Sequence, residues 1–139
     1  MDRDAPPDDP IDLTATPLHL GLGATAEVLP PFDGTMDWYG RYGEATAGDG
    51  AEGRLVSWHT FDGPWDSWEM HPHGHEVVVC VAGAPTLHQE LPDGGRRTVS
   101  LSPGQAAVNA PGVWHTMDVD GSATALFITA GLGTEHRPR

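Results

Sequence analysis

The sequence predicts a single all-β domain, either a sandwich or a small closed barrel. Three observations carry that reading. The 139 residues are one domain's worth of chain and include 18 Gly and 13 Pro, the poorest helix formers. From residue 54 onward, short β-type segments recur about every 8–12 residues, each bounded by a turn signal. No segment with helical periodicity is long enough to cover a parallel sheet.

Taken in order, residues 1–17 are rich in Asp and Pro and hold little to bury. They are expected to form a flexible acidic arm ahead of a domain over 18–139. Residues 24–29 read as a first strand, stopped by Pro30-Pro31. Residues 36–45 read as a short helix, with Trp38, Tyr39 and Tyr42 covering one end of a core. A strand at 54–61 leads to the turn Asp62-Gly63-Pro64. Strands at 67–71 and 76–82 flank Pro72-His73-Gly74. That tripeptide should break the pleat, because Pro cannot donate to a ladder and Gly permits a positive φ. Residues 86–91 and 97–101 form a hairpin across Pro92-Asp93-Gly94-Gly95, and strands at 106–109, 113–119 and 123–130 complete the set.

The charge balance removes several functions. Seven basic residues, all Arg, face 20 acidic ones, for a net charge of -13. A phosphate backbone or an anionic bilayer would repel such a chain, so neither nucleic acid nor membrane is an expected partner. Without Lys there is no Schiff-base lysine and no P-loop lysine. The lone Cys80 excludes an internal disulfide and a four-cysteine zinc site, and reads as a small core residue. The N-terminal residues have no apolar signal region, and the longest apolar run, residues 77–84, is too short to span a bilayer. A cytoplasmic protein is expected.

The chemistry concentrates in two places. Glu69, His71, His73 and His75 alternate, with Glu76 directly after, and His115 follows Pro111-Gly112-Val113-Trp114. Alternate residues of a strand share a face, so Glu69 and His71 point the same way, and Glu76 can re-enter that face beyond the turn. Carboxylates and imidazoles facing a β core are costly unless paired, and a divalent cation removes that cost. The neighbouring His75 is a candidate orienting residue or proton shuttle. His59 and His88 lie on strands and could face inward, whereas His19 and His136 read as exposed. The tryptophans read as packing residues.

These residues resemble the two motifs of the cupin superfamily. Gly63, five residues, Glu69, His71, four residues, Glu76, six residues and Gly83 follow the spacing of the first motif. Gly104, five residues, Ala110-Pro111-Gly112, two residues and His115 follow the second. The resemblance covers about residues 54–130. The chain departs from the pattern where Glu69 stands in place of the first His, Ala110 in place of a Pro, Val119 in place of an Asn, and His75 in place of an acid. The resemblance implies a double-stranded β-helix, or jelly-roll barrel, and a homodimer built through edge strands or the N-terminal segment. It implies one divalent metal per chain on Glu69, His71, Glu76 and His115, with a small organic molecule in the barrel. Two carboxylates among the ligands favour Fe(II), Mn(II) or Zn(II), with Ni(II) possible. A metal-dependent enzyme of dioxygenase, isomerase or cyclase/lyase type is the leading expectation. A non-catalytic small-molecule or metal-binding sensor is the alternative.

Overall fold

The computed structural model of the protein describes residues 7–139, so the first six residues of the expected arm lie outside it. In chain order the elements are β1 (Leu18–Gly21), β2 (Thr25–Val28), α1 (Met36–Ala45), a 3-10 turn (Ala47–Glu52), β3 (Arg54–Phe61), β4 (Ser67–Met70), β5 (Glu76–Ala82), β6 (Thr86–Glu90), β7 (Arg96–Ser100), β8 (Ala106–Asn109), β9 (Trp114–Asp118), β10 (Ala123–Thr129) and β11 (Glu135–Pro138). They form two antiparallel sheets. Sheet one has the order β2-β1-β3-β10-β5-β8, and sheet two has β11-β4-β9-β6-β7. Beyond β3 the chain repeatedly crosses from one sheet to the other, which closes the sheets face to face as a jelly roll.

Strict alternation fills the interior. In β10, Ala123, Ala125, Phe127 and Thr129 are buried, and in β5, Glu76, Val78 and Cys80 are buried. The apolar members of these sets form the main core with Leu87, Leu101, Ala107, Met117 and Val119, and Phe61, Trp65 and Val99 flank it. The buried polar residues Glu76, Gln89, Asn109, His115 and Thr129 all belong to the inward-facing sets at one end of this core. The barrel is thus apolar along most of its length and polar at one mouth.

The helix forms where expected. Thr35 caps it by accepting a hydrogen bond from the Trp38 amide. Trp38 packs with Leu29 and Leu55 in a second cluster, flanked by Phe32, Tyr39 and Tyr42. Within the expected arm, the carbonyls of Pro17 and Ala15 accept from the Leu29 and Phe32 amides at 3.1 and 2.9 Å. Two strands arise where none was expected. β1 (LHLG) gains its place because its His19 is buried, 1% exposed, rather than exposed as its sequence suggested. Both ring nitrogens are satisfied there, at 2.7 Å from the Tyr42 hydroxyl and 2.6 Å from Asp49. β11 (EHRP) sits at the edge beside β4, where a Pro is tolerated. No helix of the described residues is long and apolar enough to cross a membrane.

Candidate metal centre

Register builds the site. On sheet one, Glu76 of β5 lies between Thr129 of β10 and Asn109 of β8. On sheet two, His115 of β9 lies between Glu69 of β4 and Gln89 of β6, and Glu69 in turn faces His136 of β11. Direct cross-strand partners share a face, so two polar rows look at each other across the barrel mouth. His71, one residue beyond β4, completes the group. The Gly112 amide donates to its carbonyl at 3.0 Å and ties the two motif loops together. Gly112 is in the left-handed region at φ 80°, which a residue with a side chain would resist.

One ligand atom from each of Glu69, His71, Glu76 and His115 lies within 4.8 Å of all the others. His71 Nε2 is 3.1 Å from Glu76 Oε2, and His115 Nε2 is 3.1 Å from Glu76 Oε1 and 3.6 Å from Glu69 Oε2. None of these contacts has hydrogen-bond direction, and both Nε2 atoms are buried without a hydrogen-bond partner. Their other nitrogens fix the reason. The Thr134 hydroxyl donates its only proton to the Gly131 carbonyl, so it accepts from His71 Nδ1–H at 2.7 Å. Likewise His115 Nδ1–H donates to the Val113 carbonyl at 3.3 Å. With Nδ1–H used in this way, each Nε2 faces the carboxylates, an arrangement that repels unless a proton or a metal cation sits between them. The donor set therefore fits a divalent metal.

The carboxylates are held as acceptors. Asn109 Nδ2 donates to Glu76 Oε1 at 3.0 Å, and the Thr129 hydroxyl donates to Oε2 at 2.6 Å. Asn109 is itself oriented by Gln89 Nε2, which donates to its Oδ1 at 2.7 Å. Burial works against the Glu76 charge, but contact with the His115 and His71 imidazoles outweighs it and holds the carboxyl well below its usual range. Glu69 is half-buried. Burial again opposes its charge, and His115 and His136 bring it down to about 2. Burial also opposes a charged His115, yet the adjoining Glu69 and Glu76 raise it to about 9. In the metal-free chain this imidazole holds a proton where a cation would otherwise sit.

Of the residues singled out in the sequence, these four converge. His75 does not join them: its side chain is exposed, although its carbonyl accepts from the Ala130 amide. His73 is exposed as well. The further imidazole that touches the group is His136, with Nε2 at 3.0 Å from Glu69 Oε1. It was missed because its polar strand carries no β signal. His59 faces inward among Phe32, Phe61 and Phe127, and burial lowers its pKa against the pull of Glu69. His88 faces outward and bonds Asp118.

No family model matches the chain, and no curated protein sequence matches it. Solved structures do. A variant of Bacillus subtilis oxalate decarboxylase aligns over 69% of this chain and 26% of its own, with 14% identity and a TM-score of 0.52. A cupin-2 domain protein from Shewanella frigidimarina aligns over 62% and 71%, with 21% identity and a TM-score of 0.44. Hydroquinone 1,2-dioxygenase from a Sphingomonas species, with 4-hydroxybenzoate bound, aligns over 55% and 59%, with 15% identity and a TM-score of 0.46. The aligned region thus spans about a quarter of the decarboxylase chain. At these identities the likeness defines a fold: the chain is a cupin-type jelly roll, as its two motifs implied.

Proposed function

We propose that the chain holds one divalent cation on Glu69, His71, Glu76 and His115, and uses it to act on a small organic molecule. One observation carries this reading: two buried, unpartnered Nε2 atoms and two carboxylates converge within 4.8 Å, a cluster that needs a cation among them. Two negative charges in the ligand set favour Fe(II), Mn(II) or Zn(II), with Ni(II) also compatible. When bound, such a cation supplies Lewis acidity, and iron or manganese also redox capacity, to a substrate whose oxygens take its open positions.

The chain's own residues do the rest. Thr129 and Asn109 fix the Glu76 carboxylate. Thr134 and the Val113 carbonyl fix the tautomers of His71 and His115. Glu69 is the least buried of the four, and His136 Nε2 lies 3.0 Å from its Oε1. Trp65, which packs with Phe61 and Phe127, lies 6.2 Å ring to ring from His115.

Metal analysis of protein purified without a His tag, then reconstituted with Fe(II), Mn(II), Ni(II) and Zn(II), tests the reading. One ion per chain is expected for the unaltered protein. His115→Ala should abolish binding, and Glu69→Gln should weaken it. Metal content far below one per chain with all four ions would sink the proposal.

A further inference from the structure

Among the described residues, three buried side-chain polar atoms have no hydrogen-bond partner: His71 Nε2, His115 Nε2 and Trp65 Nε1. They lie close together, with the His115 ring 5.2 Å from that of His71 and 6.2 Å from that of Trp65. A cation accounts for the two imidazoles. It does not account for the indole. An indole N–H is a donor only, so a positive charge nearby repels it and an oxygen lone pair is what it needs. No protein acceptor supplies one. A buried donor without an acceptor costs stability, which singles this one out as a contact kept for a bound molecule.

A second nitrogen-bearing ring nearby is also free. His59 faces inward from β3, and among the described residues its ring takes part in no hydrogen bond or ion pair. It packs on Phe61 and Phe127 at 6.0 and 5.8 Å between centroids, and Trp65 packs on the same two rings at 5.5 and 6.1 Å. His59 and Trp65 therefore belong to one aromatic wall. Burial lowers the His59 pKa and raises that of Tyr39 on α1, and the next influence on both is the Glu69 charge. Both rings thus stand on the Glu69 side of the ligand cluster. With Phe32 and Ser57 they line a cleft between α1, β3 and the segment 13–17, of about 260 Å³ including its open side. A mainly apolar and aromatic lining with a few unpaired polar groups is the usual make-up of a small-molecule site.

We propose that the molecule bound here is flat and conjugated, with an ionised oxygen that accepts from Trp65 Nε1–H and a hydroxyl that donates to the His59 ring. The proposal rests on reading the four ligands as a metal centre and names what that centre acts on. Three features select this class. A flat skeleton stacks against the wall of Phe61, Phe127 and His59, where aromatic faces and edges reward planar partners. An ionised oxygen gives the indole a charge-assisted hydrogen bond, which is stronger than a neutral one. On a chain of net charge -13 an anion is repelled in general, so it is held only where a specific donor meets it. Lastly, burial keeps the His59 ring uncharged, and an uncharged imidazole has one nitrogen lone pair to accept a hydroxyl proton in a hydrogen bond. An aliphatic amine fits neither group, because it brings no oxygen to the indole.

4-Nitrocatechol tests this, being flat and coloured, with one ionised oxygen and one hydroxyl at neutral pH. Its binding to zinc-loaded and to chelator-treated protein is followed by absorbance, with metal content measured on the same samples. Trp65→Phe keeps an aromatic ring and deletes the N–H. It should weaken binding about 10–100-fold, the cost of a hydrogen bond to a charged group, with zinc content unchanged. His59→Phe keeps a flat ring among the phenylalanines and should weaken it about tenfold, so a folding defect in either variant leaves the other to read. The chain has five tryptophans, and the indole proton signal missing from Trp65→Phe should move downfield in the unaltered protein when 4-nitrocatechol binds. Unaltered protein that does not bind 4-nitrocatechol would overturn the proposal. So would equal affinity in both variants, or an indole signal that binding leaves unmoved. Protein that retains no zinc, yet loses 4-nitrocatechol affinity in both variants, would remove the metal reading and leave this contact standing.

Discussion

Glu76 and Thr129 are direct cross-strand partners, and the threonine hydroxyl donates to Glu76 Oε2 at 2.6 Å. This makes a residue on β10, outside both motifs, part of what orients the proposed ligand Glu76. Thr129→Val keeps the shape and deletes the donor. The variant should lose about 10–100-fold in metal affinity, the usual cost of removing a hydrogen bond that orients a ligand. A competition titration against a chelator checks this, and unchanged affinity would mean that Asn109 alone suffices to place Glu76.

Thr134 plays the corresponding part for His71. Because its hydroxyl proton goes to the Gly131 carbonyl, it can only accept from Nδ1–H. Thr134→Val should release the ring to populate the other tautomer. Nitrogen chemical shifts of the His71 ring should then report a mixture, alongside weaker metal binding. A ring that stays wholly in the Nδ1–H form would show that the tautomer is set by something else.

The stability of the metal-free chain should depend on pH in a defined direction. Burial opposes charge on His115, but Glu69 and Glu76 raise its pKa from 6.5 to about 9. Its contribution is therefore complete below 6.5 and disappears as pH rises through about 9. Burial opposes charge on Glu69 too, but His115 and His136 lower it from 4.5 to about 2, so its contribution is complete above 4.5 and disappears as pH falls towards 2. Chelator-treated protein should have its highest denaturation midpoint between these limits, with a decline above pH 6.5. Bound cation, which replaces the His115 proton, should reverse the alkaline decline. A midpoint that is flat from pH 6.5 to 9 in chelator would contradict the assignment.

Gly74→Ala should disturb the loop between His71 and Glu76. An added Cβ would collide with the Ala130 side chain at the end of β10. Overpacking of this kind costs about 1–3 kcal/mol, and the shift should also weaken metal binding by moving both flanking ligands. Thermal denaturation and the same chelator titration read the two effects. A variant with native stability would show that the loop can yield at Ala130.

Most of the barrel was legible in the sequence because its strands alternate and its turns carry Gly and Pro. The convergence of Glu69, His71, Glu76 and His115 was legible because motif spacing survives even where Glu69 replaces a histidine. What escaped depended on distant partners. The β signal of β1 is slight, and His19 is buried only because Tyr42 and Asp49 meet both of its nitrogens. β11 is polar and borrows its ladder from β4, so His136 and Thr134 could not be placed beside the ligands in advance. Gly74 was expected to supply a positive φ. It is absent from the left-handed region and is needed instead for the close approach of Ala130. Spacing along a chain shows which side chains share a strand face. It does not show what stands opposite them.

The indole of Trp65 lies 6.2 Å, centroid to centroid, from the ring of His115, and its Nε1 is buried without a partner. An imidazolium quenches indole fluorescence, and so do open-shell ions. Emission from this one tryptophan should therefore brighten when a closed-shell ion displaces the His115 proton, and darken when a paramagnetic ion does. The protein thus carries a built-in optical gauge of what occupies its barrel, readable without a label.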